Sequence, residues 1–310
     1  MSNLQFMKYT IKQDWLILTI DKLFENKTIE EFFHDYQLSK KTIHLLKQNK
    51  NYFLNNEFVP TSTGLKLNDQ LKIKAFDLTG PNFIPNEDPI DVIYEDEFLL
   101  IINKPAHLKV HPDQKEDINT LCNRVANYYL ENQIYYPVRY LHRLDENTTG
   151  LVIFCKCQFL QAYLDKQLAT KKIRRNYLAF VEGKVKDKEI HTIETYLGRD
   201  RHQSNKMRVA NKGQLAITHY QLIQRCKNNS LLKCSLETGR THQIRVHMSH
   251  IGHPLLGDEV YGPVNSKFKN LQGQTLHAAT IGFIHPTTEE YMEFSAPLPD
   301  YFEKLLKTLA

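Results

Sequence analysis

"RYLHRLDENTTGLVIF", Arg139–Phe154, sets a basic, hydroxyl-rich loop directly before an unbroken apolar run. The run from Thr149 to Cys155 is short and β-branched, which predicts a buried strand. The loop holds Asp145 among Arg139, His142, Arg143, Thr148 and Thr149. The plain reading is a surface turn in which Asp145 pairs with an arginine, because charged side chains sit mostly in solvent. The rest of the chain decides whether that reading suffices.

At 310 residues the chain has room for about two domains, and 41% hydrophobic against 24% charged residues describes an ordinary globular protein. Forty basic and thirty-five acidic residues leave a formal charge of +5, which permits a polyanionic partner without demanding one. The five cysteines, Cys122, Cys155, Cys157, Cys226 and Cys234, form no Cys-x-x-Cys pair and no zinc spacing. Buried thiols in a reducing compartment are expected, and so is a cytoplasmic location. No signal peptide opens "MSNLQFMKYTIKQDW" and no run of eighteen apolar residues occurs, so no membrane partner is expected.

"FDLTGPNFIPNEDP", residues 76–89, carries three prolines and reads as a linker. We therefore expect a first domain over 1–76, a linker over 77–90 and a second domain over 91–310 that folds without the first. In the first domain, Thr28 with Glu30 and Glu31 predicts a capped helix. A second helix follows "LSKK", with Lys40, Lys41, Lys47 and Lys50 available for a basic face. "NYFLNNEFV" and "LKLNDQLKIKAF" read as short strands. In the second domain "DVIYEDEFLLIINKP", "TGLVIFCKC", "NYLAFVEGKV" and "AITHYQLIQRCKNNSLLKCSLETG" read as strands, and "LQAYLDKQLAT" as a helix. "THQIRVHMSHIG" predicts a helix capped by Thr241 and stopped by Gly252. Phe302, Leu305, Leu306 and Leu309 predict a closing amphipathic helix.

His242, His247, His250 and His253 crowd together, but no carboxylate shares their helix, so no metal is expected. The Gly-Arg-Thr turn before that helix gathers Arg240, Arg245 and free backbone N–H groups, which suits an anion, either a phosphate or an aspartate from elsewhere in the fold. "KKIRRNY", "GRDRHQSNKMRV" and "INKPAHLKVHP" interleave cations with Tyr, His and Asn, a pattern that favours nucleic acid over a merely solvated surface.

The successive segments "RYLHRLDENTTGLVIF", "NYLAFVEGKV", "LETGRTHQIRVHMSHIGHPLLGDEVYG" and "LHAATIGFIHPTTEEYMEFSAPLPDYF" resemble, in order, the motifs of the RluA-type pseudouridine synthases. "INKPAHLKVHP" resembles the Lys-Pro loop that opens their catalytic domain, and residues 1–76 are more weakly similar to the alpha-L RNA-binding domain. The chain departs from the pattern at His107, where glycine is usual, at Thr149 for serine, at Arg175 for lysine, and in carrying N-terminal lysines where arginine is common.

The resemblance implies an α+β fold: a mixed, mainly antiparallel catalytic sheet with flanking helices, plus a small N-terminal α/β RNA-binding domain. It implies conversion of uridine to pseudouridine in structured RNA, which breaks the glycosidic bond and rejoins the ring through C5, with no redox change and so no cofactor. Asp145 is the expected catalytic carboxylate, Arg245 its ion-pair partner and Tyr177 the ring against the uracil. A guanidinium beside a carboxylate favours its charged form and fixes its rotamer. His142, Arg143, Lys104, Arg240, Thr241, His242, Lys40, Lys41 and Lys47 are the expected RNA contacts. Large-subunit ribosomal RNA is favoured as the partner of a monomeric enzyme. A transfer-RNA substrate and a non-catalytic RNA-binding assembly factor are the alternatives.

Overall fold

Residues 8–309 are described by a computed structural model, apart from Lys115 and Ser204 and with Leu309 by backbone alone. The Leu309 position of the expected apolar stripe thus lies outside the described side chains. The first unit contains β1 (Tyr9–Lys12), β2 (Trp15–Thr19), α1 (Ile29–Asp35), α2 (Lys40–Gln48), β3 (Tyr52–Leu54) and β4 (Gln70–Lys74). Its strands form an antiparallel sheet in the order β1-β2-β4-β3. Thr28 caps α1 through a capping box, accepting from Glu31 N at 3.2 Å while Glu31 Oε2 accepts from Thr28 N at 2.7 Å. Ser39 caps α2. Alternation places Leu16, Leu18, Tyr52, Leu71 and Ile73 on the face covered by Phe32 and Phe33, all of them buried.

The second unit runs β5 (Val92–Glu95), β6 (Leu99–Lys104), α3 (Leu121–Glu131), β7 (Thr149–Cys155), α4 (Gln158–Ala169), β8 (Arg174–Glu182), β9 (Ile190–Arg199), β10 (Met207–Ala210), β11 (Gln214–Cys226), β12 (Asn229–Leu236), α5 (Gln243–His250), β13 (Leu276–Ile284), β14 (Tyr291–Ser295) and α6 (Asp300–Leu309). The sheet order is β10-β9-β11-β12-β8-β13-β7-β6-β5, with β14 on β13. Among the described residues its pairs are antiparallel save β7 with β13, so the α+β architecture is as expected. All seven residues of β7 are buried, which a strand covered on both faces requires and its unbroken apolar run anticipates.

"GRDRHQSNKMRV", to which the sequence pattern assigns no strand, closes a hairpin in which Met207 pairs with Arg199. Its exposed arginines mask the strand pattern. The α5 cap also differs from expectation. His242, in the left-handed region at φ 56°, precedes the helix, and Thr241 is exposed and outside it. The stop is as expected, because Gly252 at φ 82° closes α5 with His253 N donating to Met248 O at 2.8 Å.

Residues 75–91 contain neither helix nor strand, yet the two units share apolar packing. Phe159 of α4 is surrounded by Phe32, Phe33 and Tyr36, with ring centroids at 6.4, 6.3 and 5.0 Å. Tyr9 packs edge-on against Phe98 at 5.0 Å, and buried Phe76 stacks on Tyr136 at 5.0 Å. A chain that starts at residue 77 uncovers Phe98 and Phe159, whose burial is worth roughly 1.5–3 kcal/mol per side chain. It is expected to melt below the full chain in differential scanning calorimetry. An unchanged melting temperature would show that the seam contributes nothing.

Candidate active site

The loop carrying Asp145 is fastened at several points. Gly150, at φ 108°, lies so close to β13 that a Cβ would stand 2.3 Å from Ala278 O, which only glycine permits. Thr149 Oγ1 is 2.8 Å from His277 Nδ1, and Thr148 Oγ1 accepts from Gln274 Nε2 at 3.0 Å. Upstream, Arg139 pairs with Asp77 at 3.3 Å and leaves Asp145 to another partner. Lys104, fully buried, donates to Pro105 O, Leu108 O and Glu146 O at 2.8, 2.7 and 2.8 Å. It ties the Lys-Pro loop to the residue beside Asp145 and has no exposed atom for RNA, so the expected RNA contact is corrected to a structural one. Burial lowers its pKa to about 7 against the pull of Asp145 and Glu146. His107 in the same loop sits at φ 58°, a region that disfavours side chains by roughly 1–2 kcal/mol, which gives the physical reason for a glycine there.

Arg245 reaches Asp145 from α5. Its Nη1 is 3.2 Å from Asp145 Oδ2, so the two expected partners meet. The stronger hold comes from Asp258, a residue that the sequence reading passed over. Arg245 Nε and Nη2 donate to the two Asp258 oxygens at 2.7 and 2.9 Å, a bidentate pair. Asp258 Oδ1 also accepts from Val260 N and Tyr261 N at 3.0 Å each. The Tyr261 ring faces the guanidinium at 5.1 Å, and its hydroxyl is 2.9 Å from His242 Nδ1. Burial alone would lower the Arg245 pKa, but Asp258 and then Asp145 raise it, so the side chain stays cationic. The available signal was the Gly-Asp-x-x-Tyr turn after α5, where an aspartate accepts from its own backbone two and three residues on.

Asp145, with its side chain 23% exposed, stands between two cavities. One, of about 660 Å³, is lined by Asp145, Tyr177, Arg175 and Ile244 among others. The other, of about 810 Å³, lies on the Arg245 side and is lined by Lys109, His111, Arg199 and Gln214. Arg143, exposed, and Thr241 and His242 border both. Tyr177 is buried, and burial followed by Asp145 raises its phenol pKa above the ordinary value against the pull of Arg175. Volume, charge and an aromatic wall suit a base extruded from its stack.

The other expected RNA contacts divide. Arg240 borders the first cavity, its Nε donating to Leu215 O at 3.0 Å. Gln243 Oε1 accepts from Arg240 N at 3.0 Å and from Thr238, so a glutamine side chain, not a phosphate, satisfies that turn. Lys40 and Lys41 are exposed on α2, while Lys47 is paired with Glu30 at 3.2 Å. His142 is buried, and burial followed by Arg175 lowers its pKa to about 3. A neutral imidazole is a poor phosphate partner, which corrects that part of its expected role. His247, also buried, meets Thr218 and Thr195 at 2.9 and 3.0 Å.

The RNA pseudouridylate synthase family matches residues 98–250, and the RluD ribosomal pseudouridine synthase N-terminal domain matches residues 9–71. The chain is 39% identical over 257 residues to the Bacillus subtilis (strain 168) protein named Uncharacterized RNA pseudouridine synthase YhcT, covering 82% of this chain and 84% of that one. It is 39% identical over 238 residues to Ribosomal large subunit pseudouridine synthase D of Zymomonas mobilis, covering 73% and 74%. Among solved structures, Human RNA Pseudouridylate Synthase Domain Containing 1 shares the fold, with a TM-score of 0.59, 22% identity and coverage of 72% of this chain and 96% of that one. The chain belongs to the RNA pseudouridylate synthase family, in its RluA-type branch. It is thus a pseudouridine synthase, an isomerase.

The buried histidines make the fold acid-labile. Burial lowers the pKa of His142 to about 3 and of His247 and His277 to about 4, each from 6.5. Their contribution to stability is complete above pH 6.5 and is lost as pH falls toward 4, because the unfolded chain then binds protons the folded chain refuses. Each histidine adds at most about 1.4 kcal/mol per pH unit to that slope. Urea unfolding between pH 7 and pH 5 should show stability falling steeply, with a shallower fall in His247→Gln. A flat profile would contradict the burial assignment.

Proposed function

We propose that the chain isomerises uridine to pseudouridine in large-subunit ribosomal RNA, with Asp145 as the reacting carboxylate. The observation that carries the reading is Asp145, held by Arg245, lining a cavity of about 660 Å³ together with Tyr177. Several relatives are named as large-subunit ribosomal enzymes, and an N-terminal unit of the RluD type matches here, which supports that RNA class.

In this reading the target nucleotide leaves its stack at a cost of a few kcal/mol and enters beside Tyr177. Asp145 then stabilises or captures the electrophilic centre made when the glycosidic bond breaks, as carboxylates do in glycoside chemistry. Arg245 keeps that carboxylate aimed. Tyr177, whose raised pKa keeps the phenol protonated at neutral pH, packs against the uracil, and it can take up the C5 proton only after passing its own hydroxyl proton to water. Arg143, Arg240, Thr241 and His242 border the cavity and hold the flanking backbone, and Lys40 and Lys41 add cationic contacts. The reaction needs no cofactor. We place the enzyme in the cytoplasm, which five buried free thiols support, and propose that it acts as a monomer.

Tritium release from C5-labelled transcripts tests this. Large-subunit ribosomal RNA should release label, and Asp145→Ala should release less than about 1% of the wild-type rate while binding RNA within a few-fold, because phosphate contacts dominate affinity. Release from transfer RNA alone would move the substrate class. No release from any RNA would leave a binding factor, and turnover by Asp145→Ala would remove Asp145 from the role.

A further inference from the structure

The outer face of the N-terminal sheet, turned away from Phe32 and Phe33, carries a row of aromatic rings. Alternation points Trp15, Phe53 and Lys72 outward, since Leu16, Tyr52, Leu54, Leu71 and Ile73 point inward. Lys12 pairs across from Trp15, and Phe53 lies directly opposite Lys72. The Trp15 and Phe53 rings are 5.7 Å apart, and Phe58, 41% exposed, continues the row at 6.4 Å from Phe53.

Each of these rings carries a cation. Lys72 Nζ is 4.5 Å from the Trp15 ring and 6.0 Å from Phe53, and Lys50 Nζ is 5.8 Å from Phe58. With Lys12 and Lys74 the face bears four lysines. Of the neighbouring acids, Asp14 is already paired with Lys74 at 3.2 Å, and Glu57 is exposed beside Phe58. A core has no use for half-exposed aromatics under lysines, and a purely solvated face has no use for three rings in a row. Phosphates would draw the ammonium groups aside and open the ring faces to stacking.

We infer that this sheet face is a platform for an unpaired stretch of RNA, with bases stacked on Trp15, Phe53 and Phe58 and phosphates on Lys12, Lys50 and Lys72. The inference deepens the RNA-modifying reading and rests on it. It adds a contact on the sheet to those of Lys40 and Lys41 on α2. The binding chemistry is sequence-tolerant, because every base offers a π-face.

Trp15 is the chain's single tryptophan, so its emission reports on this face directly. The full-length protein is titrated with an end-labelled single-stranded RNA of about a dozen nucleotides, with a blunt duplex of the same sequence, and with inorganic polyphosphate. The single strand should quench Trp15 in step with its anisotropy change, and the other two should not. Phe53→Ala and Phe58→Ala should each weaken that binding roughly fivefold or more, with far-ultraviolet circular dichroism showing both variants folded. Anisotropy that rises while Trp15 emission stays still would overturn the inference, as would quenching by polyphosphate or wild-type affinity in both variants. Tritium release by the wild type is read separately, so its failure would count against the RNA-modifying reading and not against the platform.

Discussion

The buried guanidinium of Arg245 is the constraint on which the site depends. Asp258 takes two of its donors in a fixed fork, and the remaining Nη1 is left to meet Asp145. A planar guanidinium has no freedom to turn once one edge is clamped. Asp258 thereby sets the direction from which Asp145 is held, although it lines neither of the two cavities beside Asp145. Removing one member of such a buried pair typically costs roughly 3–5 kcal/mol, because the charge left behind has no water to replace its partner.

The other fastenings bring Asp145 to meet that guanidinium. Gly150 lets β7 lie against β13, Thr148 and Thr149 bind across to Gln274 and His277, and Lys104 locks the Lys-Pro loop to Glu146. Segments far apart in the chain are thus joined around one carboxylate. The hydroxyl-rich loop has little to do with a surface turn. Its two threonines are buried hydrogen-bonding partners, and its charge is answered by an arginine one hundred residues away.

Much of this was legible in local pattern. The Thr28 cap, the apolar run of β7, the Gly252 stop and the pairing of Asp145 with Arg245 all follow from residue type and spacing or from motif resemblance. What stayed hidden depends on tertiary partners. Lys104 reads as a nucleic-acid cation until three carbonyls are seen to enclose it. His142 reads as a phosphate contact until burial makes it neutral. Asp258 lies in a turn whose significance is only its distance to Arg245. The β9–β10 hairpin is obscured by exposed arginines, and the linker pattern conceals a seam in which Phe159 packs against three rings of the first unit.

The most direct test is the turnover of Asp258→Asn, measured by C5-tritium release at a temperature where circular dichroism shows the variant folded. Asparagine keeps the shape but cannot answer the guanidinium with charge, so Arg245 should turn from Asp145. The account predicts a fall in maximal rate of at least about a hundredfold, the loss of roughly 2.7 kcal/mol of transition-state stabilisation, with RNA affinity kept within a few-fold. A folded Asp258→Asn enzyme that turns over at the wild-type rate would contradict it.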